Sequence, residues 1–511
     1  MTYYECIKQI TSEEIFDGLL GFGLFSERLP PFLTSEPYLN YAKKHASPNE
    51  QYASQFMFYD NYRNINIPRI LAIPSPISYR NLCRSISDNW EKIQNFFQDK
   101  TRNQSYKISR IHIRKLAKSK ALFKMNYDNW KIDGFPEPDL LIDKKFLVKA
   151  DIANCFPSMY THSLCWALVG KNEAKKNKNN SSLWYNALDV YSQKIKDMET
   201  HGFLIGPHAS NLLSEIILTN IDYKLAQKWT YIRYIDDYTC YVKSKEEADS
   251  FLLDLIKELK EYDLLLNQKK TEIIELPKTS KNDWKIELQK NLNLLINHNQ
   301  IISYTNIRNY LDSIVTLSNE FKNASILSYA FKIISGYYSP KNKKTKKIPF
   351  SKNAIEYLKK ITIHYVIHYP YLIHFFEDTI LIPFKFTQEE IATASNLFFN
   401  EGYQNKNYEI CSYALLYSIK NNSKLNSVSI EEILESNDSI LMLLAYLYYD
   451  KFNMEKEKES LEDKAKQLAK HDFGRFWLFI YEILSDKELP HEYKALKKAK
   501  VTFIDRNKLS Y

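Results

Sequence analysis

Two adjacent aspartates, Asp236 and Asp237, interrupt an otherwise apolar and aromatic stretch, YIRYIDDYTCYV, at residues 231–242. The density of β-branched and aromatic residues on both sides predicts a strand, a tight turn carrying the acids, and a second strand. Neighbouring carboxylates repel each other, and each is costly to hold near apolar groups without a compensating charge. A third acid, Asp151, ends the strand-like run KKFLVKADIANCF. Three carboxylates at the ends of neighbouring strands suit hard divalent cations: Mg²⁺ takes oxygen ligands and is usually held by one or two carboxylates plus substrate phosphates. Two such ions roughly 4 Å apart activate a hydroxyl nucleophile and neutralise a leaving pyrophosphate. The expected chemistry is nucleotidyl transfer with two Mg²⁺ ions, Mn²⁺ being the alternative.

The flanking sequence supplies the elements such a site needs. ASNLLSEIILTNIDYKLAQKW reads as a helix following the loop THGFLIGP, and KEEADSFLLDLIKELKEY is an amphipathic helix with apolar residues at helical spacing. LLLNQKKTEIIEL closes this portion with a strand. Upstream, prolines 68, 74 and 76 exclude a long helix, and YRNLCRSISDNWEKIQNFF then reads as one amphipathic helix. Beyond Pro277 strand-like runs fade. Helical segments such as SILSYAFKIISGYY, YEICSYALLYSIKNN and SILMLLAYLYYDKF recur with short polar breaks, as a stacked-helix array or as one irregular bundle. The expected division is residues 1–277 and residues 278–511.

Composition narrows the function classes. With 511 residues, more than one folding unit is expected. No run of eighteen apolar residues appears and the first residues lack a signal-peptide core, so a cytoplasmic protein with no membrane contact is expected. The six cysteines are scattered without a C-x-x-C pair, as in reduced intracellular thiols. His162, His201 and His208 show no zinc-ligand spacing. Neither glycine-rich phosphate loop is present, so any nucleotide is held by other means. The lysine blocks at 171–180 and 341–347 are either solvated loops or polyanion contacts.

In order, these segments resemble the motifs of reverse transcriptases: ADIANCF as motif A, GFLIGPHAS as motif B, YIDD as motif C and LNQKKT as motif D. The resemblance spans roughly residues 20–277 and implies an α+β, right-hand polymerase core of fingers and palm. It assigns Asp151 and Asp236 to both metals, with Asp237 assisting and the Ile152 carbonyl completing a site. Phe156, five residues after Asp151, matches the aromatic gate against a ribose 2′-hydroxyl, implying dNTPs as substrates; the plainer reading is a core aromatic. Arg110 and Arg114, with Lys124 as a further candidate, fall where such enzymes grip a triphosphate, or are surface charges. Lys270 is either a general acid toward pyrophosphate or a structural partner. Arg233 reads as a strand residue, and Glu215 and Asp222 as structural acids.

Motif B departs from the common G-x-P-Q-G pattern: Gly206 and Ser210 remain, placing a loop close to the nucleotide, but the proline and glutamine are missing. That departure, the motif A segment and the long helical C-terminal part resemble the bacterial and prophage abortive-infection (Abi) polymerases of the AbiK type. This narrower resemblance implies untemplated DNA synthesis primed from a protein hydroxyl, a HEAT-like helical-repeat domain over 278–511, a homo-oligomer, a single-stranded DNA product attached to a tyrosine, and a role in antiphage defence. Tyr3, Tyr4 and Tyr511, near the termini, are the tyrosines considered for priming. A templated reverse transcriptase using a bound RNA and a non-catalytic nucleic-acid-binding scaffold are the alternatives.

Overall fold

The computed structural model describes residues 3–63, 67–110, 113, 115, 121–122, 134–278, 283–297, 301–339, 347–426 and 428–510. Arg114, Lys124, Tyr511, the Tyr3 side chain and most of the 341–347 lysine block lie outside the described residues.

Two small sheets organise the N-terminal half. β1 (Met57–Tyr62) and β2 (Pro68–Ile73) form an antiparallel hairpin in which Asn61 faces Arg69 and Tyr59 faces Leu71. A four-stranded antiparallel sheet runs β4 (Tyr231–Tyr234), β5 (Asp237–Val242), β3 (Phe146–Asp151), β6 (Glu272–Glu275). The expected strand, turn, strand over 231–242 is therefore present, and Asp151 does end a strand.

The region expected to be one helix is two, α1 (Pro76–Asp88) and α2 (Trp90–Thr101). Asn89 leaves helical geometry at φ −110°, ψ 17°, and its side-chain amide donates back to the Ser85 carbonyl at 2.9 Å. Such local side-chain bonding competes with the helix ladder. The turn also lets Trp90 bury its ring and donate to the Ile10 carbonyl.

α3 (Cys155–Ser158) is a single turn after β3, and α4 (His208–Leu225) is the central helix, buried on nearly every side. Helix α5 (Lys245–Lys260) packs on β3, β5 and α4 through Ala248, Phe251, Leu255 and Leu259, the i, i+3, i+4 stripe read from sequence. The Ser244 hydroxyl accepts from the Glu247 N–H and starts it.

After Pro277 the named elements are all helical. Helix α6 (Ser325–Tyr338) is followed by the turn Ile373–Phe376 and a π-helical turn, Glu377–Leu381. Then α7 (Gln388–Gln404), α8 (Tyr408–Asn421), α9 (Ser439–Lys451) and α10 (Phe473–Ile483) pack in series: α8 sits between α7 and α9, and α9 between α8 and α10. One continuous apolar core joins these helices to the N-terminal half. Across it Trp477 donates to the Ile73 carbonyl, Tyr493 bonds Ser75 at 2.7 Å, and Phe503 packs on Tyr38 and Trp477. Among the described residues no helix is long and apolar enough to cross a membrane.

Candidate active site

The three acids converge. Asp151, at the end of β3, pairs directly with Asp237, at the start of β5, and Asp236 occupies the turn between. One carboxylate oxygen from each lies within 4.8 Å of the others. Asp151 is fixed from several sides: Asn267 donates its backbone N–H to the Asp151 carbonyl at 2.7 Å and its amide to Oδ1 at 2.9 Å, while Lys270 Nζ meets Oδ2 at 2.8 Å. The Ile152 N–H donates to the Asp236 carbonyl at 3.2 Å, so the backbone of Ile152 is stitched to the turn.

The electrostatics are those of a cluster short of positive charge. Burial, then the Asp236 charge and a hydrogen bond shared with Asp151, push Asp237 up to about 7. Burial also raises Asp236, against which Asp151 adds and Lys270 and Arg69 subtract. The hydrogen bond to Asp151 holds Lys270 above its usual range. An all-oxygen set with one buried and two more open carboxylates fits Mg²⁺ or Mn²⁺ and does not suit a softer metal. A folded-state value above the unfolded one means that the native protein binds the extra proton, so the stability from Asp237 is present below about pH 4 and lost as pH rises to about 7. Added Mg²⁺ is therefore expected to raise the melting temperature more at pH 8 than at pH 5, measured by thermal unfolding with and without chelator.

The turn itself is strained and externally held. Ile235, a β-branched residue, sits at φ +57°. Arg233, fully buried, donates from its Nη1 to the Ile235 carbonyl at 2.8 Å. Its other donors reach Asp222 at 2.5–3.1 Å and Glu215 at 3.1–3.2 Å, both on α4 and both buried. The Tyr231 hydroxyl adds a bond to Asp222 at 2.9 Å. Arg233 is thus more than the plain strand residue expected: it ties the acid-bearing turn to the central helix. Glu215 and Asp222 are its structural partners.

A cleft of about 680 Å³ opens beside Ile235. Asn61, Tyr62, Arg63, Arg69 and Leu71 of the hairpin segment, Phe156, Ile205, Gly206, His208 and Asn211 line it together with Ser325, Ser328, Tyr371, His374 and Phe375 of the helical half, and Glu27 and Arg28 also reach it. The loop before α4 is threaded between α3 and β2. Gly202, at φ +85°, lies so close to Pro157 that a Cβ would meet its carbonyl oxygen at 2.7 Å, and Gly206, at φ +130°, lies against the Ala72 carbonyl. Lys196 holds this loop through the His201 and Gly202 carbonyls. His208 is pushed down to about 4 by burial and is neutral.

Phe156 and Gly206 thus stand at the cleft, Phe156 largely buried behind it. Ser210 does not: it is buried with its hydroxyl unpartnered, and Asn211 takes the facing position on the helix. Arg110 is also placed elsewhere. It is buried beside β4, its N–H donating to the Arg233 carbonyl, with its guanidinium on the Gly134 carbonyl and 3.9 Å from Glu137. The arginines that line the cleft are Arg28, Arg63 after β1, and Arg69 in the IPRIL segment of β2. Of the terminal tyrosines, Tyr4 is not among the cleft residues; Tyr62 and Tyr371 are.

Residues 79–329, just under half of the chain, match the family model described as reverse transcriptase (RNA-dependent DNA polymerase). A reverse transcriptase domain is therefore present, and the core has a reverse-transcriptase-like fold. Curated proteins give no match. Solved structures that are similar include apo telomerase from Candida tropicalis truncated from its C-terminal domain, at 16% identity and TM-score 0.28, covering 48% of this chain and 54% of that one. This chain thus spans about half of that protein's length. Apo telomerase from Candida tropicalis aligns at 12% identity and TM-score 0.32 over 81% of this chain and 69% of that one. Telomerase from Candida albicans in complex with a TWJ fragment of telomeric RNA aligns at 12% identity and TM-score 0.28, over 84% and 70%.

Proposed function

We propose that this protein is a metal-dependent nucleotidyltransferase that builds DNA from dNTPs, without a template and from a protein hydroxyl, as a homo-oligomeric antiphage polymerase of the bacterial cytoplasm. One observation carries the core of that reading: three carboxylates gathered within 4.8 Å inside the matched reverse transcriptase span, on a turn whose Ile235 lines a cleft that also holds Arg28, Arg63 and Arg69. Asp151, Asp236 and Asp237 would hold the divalent ions, with the Ile152 carbonyl as a further ligand. Bound there, two such ions supply Lewis-acid stabilisation of the attacking and leaving oxygens in an in-line displacement at the α-phosphate. Arg69 and Arg63 offer planar forks to the phosphate oxygens. Lys270, kept protonated by Asp151, holds an ammonium proton beside the leaving side. Phe156 closes the cleft where a sugar would rest. Untemplated synthesis, tyrosine priming and the defence role rest on the Abi resemblance.

The test is an incorporation assay with purified protein freed of nucleic acid, given Mg²⁺ and labelled dNTPs but neither primer nor template. Products are resolved on a denaturing gel with and without protease. Label that travels with protein until digestion supports the full reading. Product that forms only once an RNA template and primer are added returns the chain to templated reverse transcription. In the same assay Phe156→Val is expected to raise ribonucleotide use by about tenfold or more relative to dNTPs, since removing ring volume from an apolar wall shifts discrimination by one to a few kcal/mol. An unchanged ratio would leave Phe156 a core aromatic.

A further inference from the structure

Glu409 lies at the start of α8, more than 300 residues from the hairpin, yet it is one of the most completely buried acids in the protein, at 2% exposure. Its two oxygens accept three hydrogen bonds and lie against a histidine. Oε1 accepts from the Tyr59 hydroxyl at 3.0 Å and from the Asn61 amide at 2.9 Å, and Oε2 accepts the Tyr62 backbone N–H at 2.8 Å; His374 Nε2 lies 2.8 Å from Oε1 and 3.2 Å from the Asn61 amide nitrogen. Tyr59, Asn61 and Tyr62 sit on the second half of β1, and His374, which also lines the cleft, lies against Asn61.

This placement bears on the cleft directly. Tyr59 and Asn61 share one face of β1, and their register partners Leu71 and Arg69 share the same face of β2. Asn61, Tyr62, Arg63, Arg69 and His374 all line the cleft. Holding the Tyr62 N–H fixes the backbone one residue before Arg63, and holding Asn61 fixes the rung that carries Arg69. A buried carboxylate that accepts three hydrogen bonds from one strand is a stiff anchor, because each bond is stronger in a dry interior than in water and losing one leaves a buried group unmade.

We propose that Glu409, with His374, is a positioning residue for nucleotide binding: the helical half sets the affinity of the cleft for a nucleoside triphosphate by fixing the hairpin that presents Arg63 and Arg69. This rests on the reading that the cleft takes a nucleoside triphosphate. Glu409→Gln keeps the shape but replaces an acceptor oxygen by an amide that cannot accept from the same donors. Binding is the readout, so that the answer does not depend on turnover. Equilibrium dialysis of a labelled dNTP, with Ca²⁺ in place of Mg²⁺, is run on the full-length wild type, Glu409→Gln, His374→Ala and Tyr493→Phe. The last cuts a buried bond across the same interface, to Ser75, outside the cleft lining.

The expected result is a Kd raised about tenfold in Glu409→Gln and raised in His374→Ala, with Tyr493→Phe losing stability but keeping wild-type affinity. In steady-state incorporation Glu409→Gln and His374→Ala should raise KM and leave kcat within about threefold, with Tyr493→Phe unchanged in KM. Equal affinity in Glu409→Gln and wild type overturns the proposal, as does an equal loss in Tyr493→Phe, which would make the interface merely structural. A wild type that binds no triphosphate overturns it too. A wild type that binds but never incorporates defeats the polymerase reading while the dialysis still decides the role of Glu409.

Discussion

Asp236→Ala is expected to lower nucleotide incorporation by on the order of a thousandfold or more, while leaving the protein folded. The magnitude follows from the chemistry: a two-ion site contributes several kcal/mol to the transition state, and each 1.4 kcal/mol is a factor of ten. The second half of the expectation separates a functional acid from a structural one. Asp236 is raised by burial and by Asp151, and it in turn raises Asp237, so the cluster is held together against its own repulsion. Removing one of its charges in the absence of divalent ions should raise the melting temperature at pH 8, and the Mg²⁺-dependent gain in melting temperature should shrink. Thermal unfolding with and without chelator checks both. Residual incorporation within tenfold of wild type would remove Asp236 from the site. A variant that loses activity and stability together would make the acids part of the scaffold.

What was legible beforehand divides along physical lines. The strand ending at Asp151, the acid turn and helix Lys245–Lys260 are local: alternation, helical spacing and a capping serine carry them within a dozen residues. The change to helical segments after Pro277 is equally local. The break at Asn89 is not, because it is settled by where the Trp90 ring finds its burial and its Ile10 acceptor. The placement of Arg110 is hidden for a similar reason. Arg110 carries the expected charge, but Gly134 and Glu137 close over it. Arg69 lies in a strand whose neighbours are apolar, and only the fold turns it to the cleft. The helical lining, with His374 and the adjacent Glu409, depends on contacts across some 300 residues, which no short window contains. Motif B was readable in part: Gly206 lines the cleft, whereas the helical phase puts Ser210 in the core and Asn211 at the cleft.

The largest effect on stability is expected at Arg233, the residue whose sequence context says least about it. A lone arginine in an apolar strand, with acids seven apart at 215 and 222 on one face of α4, is the pattern that could have exposed it. Arg233→Ala leaves both carboxylates buried without their cation, and breaking a buried pair in this way costs about 3–5 kcal/mol. The loss should depend on pH in a defined sense. Uncompensated buried acids have folded-state values above their unfolded ones, so the native form holds the extra protons, and the variant regains stability as pH falls toward the carboxylate range. Urea titrations of wild type and variant at pH 5 and pH 8 read this as a smaller difference at the lower pH. The triple replacement of Arg233, Glu215 and Asp222 by leucine then separates folding from function. Exchanging a whole buried ion cluster for apolar side chains is often neutral for stability, so most of the lost stability should return. Activity should not, because the Arg233 donor to the Ile235 carbonyl is gone and nothing then holds a β-branched residue at φ +57° beside the paired aspartates. If the triple variant recovers incorporation along with stability, Arg233 serves only to neutralise its two acids, and the geometry of the turn is secured by the strands alone.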